Sequence, residues 1–232
     1  MQMNEKLPDA PLAMKTTLKR VFIAVLFSIA FGYIEAAVVV YLRTIFYPEG
    51  FTFPLTEFGN GPLWNRLLAI EVGREAATMV LIFSGAWLFG ANRRQRLAYF
   101  LTIFAVWDTF YYVWLKVFLD WPGSVMDWDI LFLIPAVWAS PVLAPVLVSL
   151  MMLAFAVTIF YRSALGRSFK VTLPERAGFF LAGVVIVICF WTAGGHITEE
   201  GFEHHFYWPL FGSGMVFSIV LFVRCVLKSP SL

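Results

Sequence analysis

Long apolar runs separated by short polar stretches dominate the chain, and their lengths suit membrane spans better than strands or amphipathic surface helices. A hydrocarbon core of about 30 Å needs about 20 consecutive apolar residues in a helix. Six stretches reach that length: Val21–Leu42, Leu63–Gly90, Leu97–Leu119, a zone from Asp129 to Tyr161, Ala177–Gly194 and Tyr207–Leu227. The fourth zone is too long for one straight span and contains Pro135, Pro141 and Pro145. Proline lacks a backbone donor and interrupts a helix, so the zone divides into a short outer segment, 129–139, and a spanning helix, 141–161. The pattern predicts an all-α polytopic membrane bundle of six transmembrane helices with a Pro-broken fourth segment. Residues 1–20 read as a retained cytoplasmic tail and 21–228 as a single transmembrane domain.

Composition agrees with the pattern. Of 232 residues, 60% are hydrophobic and only 14% charged, and the mean hydropathy is +0.79, which leaves too little polar surface for a water-exposed globule. The bilayer is therefore the expected partner. A formal charge of +2 and the lack of a basic block interleaved with aromatics exclude nucleic acid. Cys189 and Cys225 both lie in apolar runs, where they form neither a disulfide framework nor a CxxC pair and read as packing residues.

The few charges are sorted along the chain. Lys6, Lys15, Lys19 and Arg20 precede the first span; Arg93, Arg94 and Arg96 follow the second; Arg162, Arg167, Lys170 and Arg176 follow the fourth; Arg224 and Lys228 close the sixth. These are 13 of the 17 basic residues, and by the positive-inside rule they place both termini in the cytoplasm. A bacterial cytoplasmic membrane is the expected location. The opposite side collects Glu49, Glu57, Asp120, Asp127, Asp129, Glu199, Glu200 and Glu203 with all three histidines. Trp64, Trp121, Trp128 and Trp208 stand at span ends as interfacial anchors, and Asp120, Asp127 and Asp129 read as loop and helix-cap residues.

Five ionisable residues fall inside the spans, where a charge costs about 2.5–3.5 kcal/mol on insertion scales and usually marks function. They are Glu35, Glu71, Arg74, Glu75 and Asp108, and at about 1.5 Å per residue all five reach one slab of the bilayer. Glu71, Arg74, Glu75 and Thr78 share one helical stripe, as do Asp108, Tyr111 and Tyr112, and as do Ser28, Gly32 and Glu35. The first three spans are expected to pack these stripes around a polar interior. Four carboxylates and one guanidinium sum to a formal −3, which a low-dielectric site holds only with protons or a cation. The competing reading is structural: Arg74 pairs with one or two carboxylates, and the rest hydrogen-bond to Tyr or Thr and fix helix register.

A second constellation lies in the outer loop GGHITEEGFEHHFYWP. If that loop turns helically, His196, Glu200 and His204 stand at i, i+4 and i+8, a ligand set suited to a divalent metal. Bis-His haem and membrane di-iron sites need histidines on several spans, and here all three occupy one loop, which sets haem aside. The order Glu71, Arg74, Glu75 also departs from the glutamate-rich motif of intramembrane CAAX-type proteases, with their adjacent glutamates and later-span histidines.

The sequence thus points to an intramembrane carboxylate/Arg site that binds or relays a proton, metal cation or small polar substrate, with a transport-type role. Two alternatives stand beside it: a non-catalytic subunit or assembly factor of a larger membrane complex, and a membrane metalloenzyme acting on a lipid or quinone.

Overall fold

The structure is a computed structural model and describes residues 10–55, 62–167 and 170–228. Lys6 and Glu57, counted above in the charge distribution, lie outside the described residues. In chain order the elements are α1 (Ala10–Phe46), α2 (Pro62–Phe89), α3 (Arg93–Leu119), β1 (Trp128–Phe132), β2 (Trp138–Pro141), α4 (Leu143–Ala164), α5 (Leu173–Gly194), a 3₁₀ turn at Phe202–His205, and α6 (Trp208–Lys228). Five helices, α1, α3, α4, α5 and α6, are long and apolar enough to cross a membrane. The remaining long helix, α2, carries Arg66, Glu71, Arg74 and Glu75. Large apolar side chains stand far out of the bundle, Leu88 at 84% exposure and Phe180 at 76%, as expected of a surface that meets lipid rather than water.

Local chemistry sets the element ends. Between α2 and α3 the chain turns in three residues, because the Asn92 side chain accepts hydrogen bonds from the Arg94 and Gln95 amides at 3.1 and 3.0 Å. Helix α5 starts on a capping box: the Thr172 amide and hydroxyl both donate to Glu175 at 2.8 Å. Helix α3 ends at Asp120, whose left-handed backbone (φ 52°) lets its amide donate back to the Lys116 carbonyl. Helix α1 begins at Ala10, ahead of the expected start at Val21, so residues 10–20 are continuous with the first helix.

The fourth zone departs from expectation. Its outer part is an antiparallel hairpin, with Trp128 opposite Pro141, Asp129 opposite Ser140, Ile130 opposite Ala139, and a bulge before Phe132 opposite Trp138. The fold is therefore not purely α. Non-helical backbone is tolerated beside a membrane only where its polar groups are satisfied by protein or a cavity. Pairing the strands does this while Pro135 occupies the turn and Pro141 the end of the ladder. Helix α4 then starts at Leu143, two residues after the predicted start.

Helix α3 is the hub, packing against α1, α2 and α4, while α5 pairs with α6 and receives β2. At Gly32 of α1 an added Cβ would sit 3.0 Å from the Trp107 carbonyl of α3, so the missing side chain sets how closely these helices approach. Ala98, Ile159, Phe222 and Cys225 form a core that ties α3, α4 and α6 together. Helices α1 and α2 scarcely touch.

Candidate functional site

The site is a cavity of about 130 Å³ bounded by α1, α2, α3 and the hairpin. Glu35, Glu71, Arg74, Glu75, Asp108, Tyr111 and Tyr112 all line it, so the five ionisable residues and two tyrosines singled out from sequence reach one chamber. Arg43 and Asp129 line it as well.

Helix periodicity brings three of these groups into one ion-pair network. Arg74 and Glu71 lie one turn apart on α2, and the Arg74 Nε donates to Glu71 Oε2 at 2.8 Å. The two terminal nitrogens of the same guanidinium reach a carboxylate oxygen of Glu71 and one of Glu35 across the gap to α1. Thr78, one turn further along α2, donates its hydroxyl to the other Glu35 oxygen at 3.3 Å. These polar bonds span the interval where α1 and α2 otherwise barely meet.

A second network holds the outer wall. Asp129, 2% exposed, accepts from Arg43 Nη2 at 2.9 Å, the Tyr111 hydroxyl at 3.2 Å and the Ile130 amide at 2.9 Å. Burial pushes its carboxyl above the usual carboxylate range, and the Arg43 guanidinium opposes that shift. Arg43 also lies against two rings, 4.2 Å from the Phe51 centroid and 3.9 Å from that of Trp121, which face the guanidinium from two nearly perpendicular sides. Trp121, expected as an interfacial anchor, thus also grips a cation.

Two carboxylates in the chamber are held by neutral donors. Glu75 accepts the Leu133 amide on both oxygens, at 3.0 and 2.9 Å, and so satisfies a backbone group where the hairpin leaves its ladder. Asp108 accepts the Ser149 hydroxyl of α4 at 2.8 Å. Trp107, also in the lining, carries a buried indole N–H with no partner among the described residues. A buried donor of this kind is normally satisfied by ordered water or a ligand. Tyr112 contributes its ring, edge-on to Tyr111 at 4.9 Å.

Sequence reasoning missed Arg43, Ser149 and the role of Asp129. The available signal for Arg43 was its position, a basic residue at the acidic end of the first span. The basic residues that break the charge sorting are Arg43, Arg66, Arg74 and Lys116, and three of these pair with acids: Asp129, Glu35 with Glu71, and Asp120. Asp120 and Asp127 do serve the loop as expected, the latter accepting the Gly123 and Ser124 amides at 2.7 and 3.1 Å.

In the outer loop the helical alignment of His196, Glu200 and His204 does not form. Helix α5 ends at Gly194, and Gly201 takes a left-handed conformation (φ 77°), which turns the chain away from a helical path. His196, Glu199 and His205 come together instead, while Glu200 and His204 are exposed and stand outside that group.

Compared with protein-family models, curated proteins and solved structures, the chain has no significant match to any of them.

Proposed function

We propose that this membrane-spanning helical protein uses its intramembrane chamber to bind or relay a proton or small cation in a transport-type role. The proposal includes α2 as a sixth span and places both chain ends on the basic, cytoplasmic side of a bacterial cytoplasmic membrane. The observation that carries it is the unequal pairing inside the chamber. Glu35, Glu71, Glu75, Asp108 and Asp129 face the guanidiniums of Arg43 and Arg74, a formal sum of −3. Arg43 is committed to Asp129 and Arg74 to Glu35 and Glu71. Among the described residues Glu75 and Asp108 therefore have only an amide and a hydroxyl as hydrogen-bond donors, and in a low-dielectric site such carboxylates take up a proton or recruit a cation.

Enclosure of the charges supports this reading over that of a subunit whose buried charges meet a partner helix, since the charged stripes turn toward one another. In the proposed pathway, water held by the Trp107 indole would link Asp108 and Glu75 to the ion-pair network, with the Tyr111 and Tyr112 hydroxyls beside it.

The test is flux in proteoliposomes, read by an internal pH dye as a proton or monovalent-cation gradient is imposed. Asp108→Asn and Glu75→Gln are expected to abolish the flux while keeping melting behaviour close to wild type. If both variants simply fail to fold, the reading in which the carboxylates fix helix register is favoured instead.

A further inference from the structure

We propose that His196, Glu199 and His205 form a binding site for a first-row divalent metal ion of the zinc class, separate from the intramembrane chamber. Their ligand atoms all lie within 4.8 Å of one another, a spacing that rotation of these side chains closes around one ion with bonds of about 2.0–2.2 Å. His196 Nδ1 and Glu199 Oε2 are 3.0 Å apart, about the separation of two ligand atoms on one tetrahedral ion. The His196 and His205 rings lie face to face, 3.7 Å between centroids and 9° from parallel. An imidazole binds metal along its ring plane, so one ring turns out of this stack when both nitrogens meet one ion. Two imidazoles and one carboxylate are a borderline donor set that favours zinc-like ions over calcium or magnesium, and three protein ligands leave a coordination position open to water.

The surrounding loop is built to hold these ligands in place. Ile197 and Phe202, between the two histidines, are 3% and 1% exposed, and the Ile197 carbonyl accepts the Leu55 amide at 2.8 Å. The Thr192 hydroxyl of α5 donates to the His205 carbonyl at 2.9 Å. The ligands thus project from a packed scaffold toward solvent, with an open route for the ion. Phe202 also packs edge-on to Trp128 of β1 at 4.6 Å, so a bound ion would stiffen the α5–α6 connection where it packs on the hairpin that walls the chamber.

The test is Zn²⁺ titration calorimetry on the full chain in detergent, with any affinity tag removed. Wild type is expected to show saturable binding that His196→Ala and His205→Ala each weaken by at least about tenfold, while His204→Ala and Glu200→Gln bind as wild type does. Absence of saturable binding, or equal loss in His204→Ala and His205→Ala, would overturn the assignment. Should the alanine variants not fold, electron paramagnetic resonance of the wild-type Cu²⁺ complex decides independently. Hyperfine structure from two imidazole nitrogens supports the site, and a spectrum with one or none overturns it.

Discussion

Replacing Arg74 by methionine isolates the part of the chamber on which the α1–α2 association depends. The change removes the guanidinium while keeping an unbranched chain, and it leaves Glu35 and Glu71 facing each other without their cation. Removing one partner from a buried ion pair costs about 3–5 kcal/mol, because the remaining charge stays desolvated. Here the Arg74, Glu35 and Glu71 side chains retain 21%, 10% and 13% exposure, so the lower end, about 3 kcal/mol, applies. For a domain of this size that corresponds to a fall of about 6–12 °C in melting temperature, measurable by fluorescence-detected unfolding in detergent. The triple variant Arg74→Met, Glu35→Gln, Glu71→Gln removes all three charges together. Neutral replacement of a buried ionic group is often neutral or stabilising, so it should melt well above the single variant, within about 1 kcal/mol of wild type. An Arg74→Met protein that melts with wild type, or a triple variant as unstable as the single one, would refute the assignment of this network as the buried charge link between α1 and α2.

Arg43→Lys keeps a charge beside Asp129 but loses the guanidinium contacts with the Phe51 and Trp121 rings, a loss of about 1–2 kcal/mol; Arg43→Ala should cost more, about 3–5 kcal/mol, and thermal unfolding of the pair checks the order. Gly194→Ala would drive a Cβ into the Val137 carbonyl and should destabilise by at least about 1–3 kcal/mol. Gly183→Ala, with open space at its Cβ position, should be neutral or stabilising by up to about 1 kcal/mol, and the same melts compare them. Cys189 and Cys225, 1% and 0% exposed, should resist maleimide in the folded protein and react only after denaturation, as mass spectrometry would show.

The long apolar helices and the convergence of Glu35, Glu71, Arg74, Glu75 and Asp108 on one chamber were legible because both rest on one-dimensional properties: the length of an apolar run, and the position of a residue along it. The stripe of Glu71, Arg74, Glu75 and Thr78 needed only helical periodicity to predict a shared face. The hairpin was not legible in the same way. Trp128–Phe132 is a short, mainly apolar run that periodicity cannot distinguish from buried helix, and Pro135, Pro141 and Pro145 after it announced a break without showing that the two arms would pair. Asp129 followed from that pairing: once Trp128 and Ile130 join the cluster around Phe202, Asp129 meets Arg43 and Tyr111. In the outer loop the choice between Glu200 with His204 and Glu199 with His205 depended on the backbone sign at Gly201, which residue identity alone suggests but does not decide.

Infrared difference spectroscopy of the full chain in lipid, recorded as pH or cation concentration changes, asks most directly whether the chamber carboxylates exchange a proton or cation. We expect carboxyl bands that respond to the change, one missing in Asp108→Asn and another in Glu75→Gln. The Asp108 band should shift in Ser149→Ala, which removes the hydroxyl donor 2.8 Å away. Identical difference spectra from wild type, Asp108→Asn and Glu75→Gln would contradict a proton- or cation-binding role for this chamber.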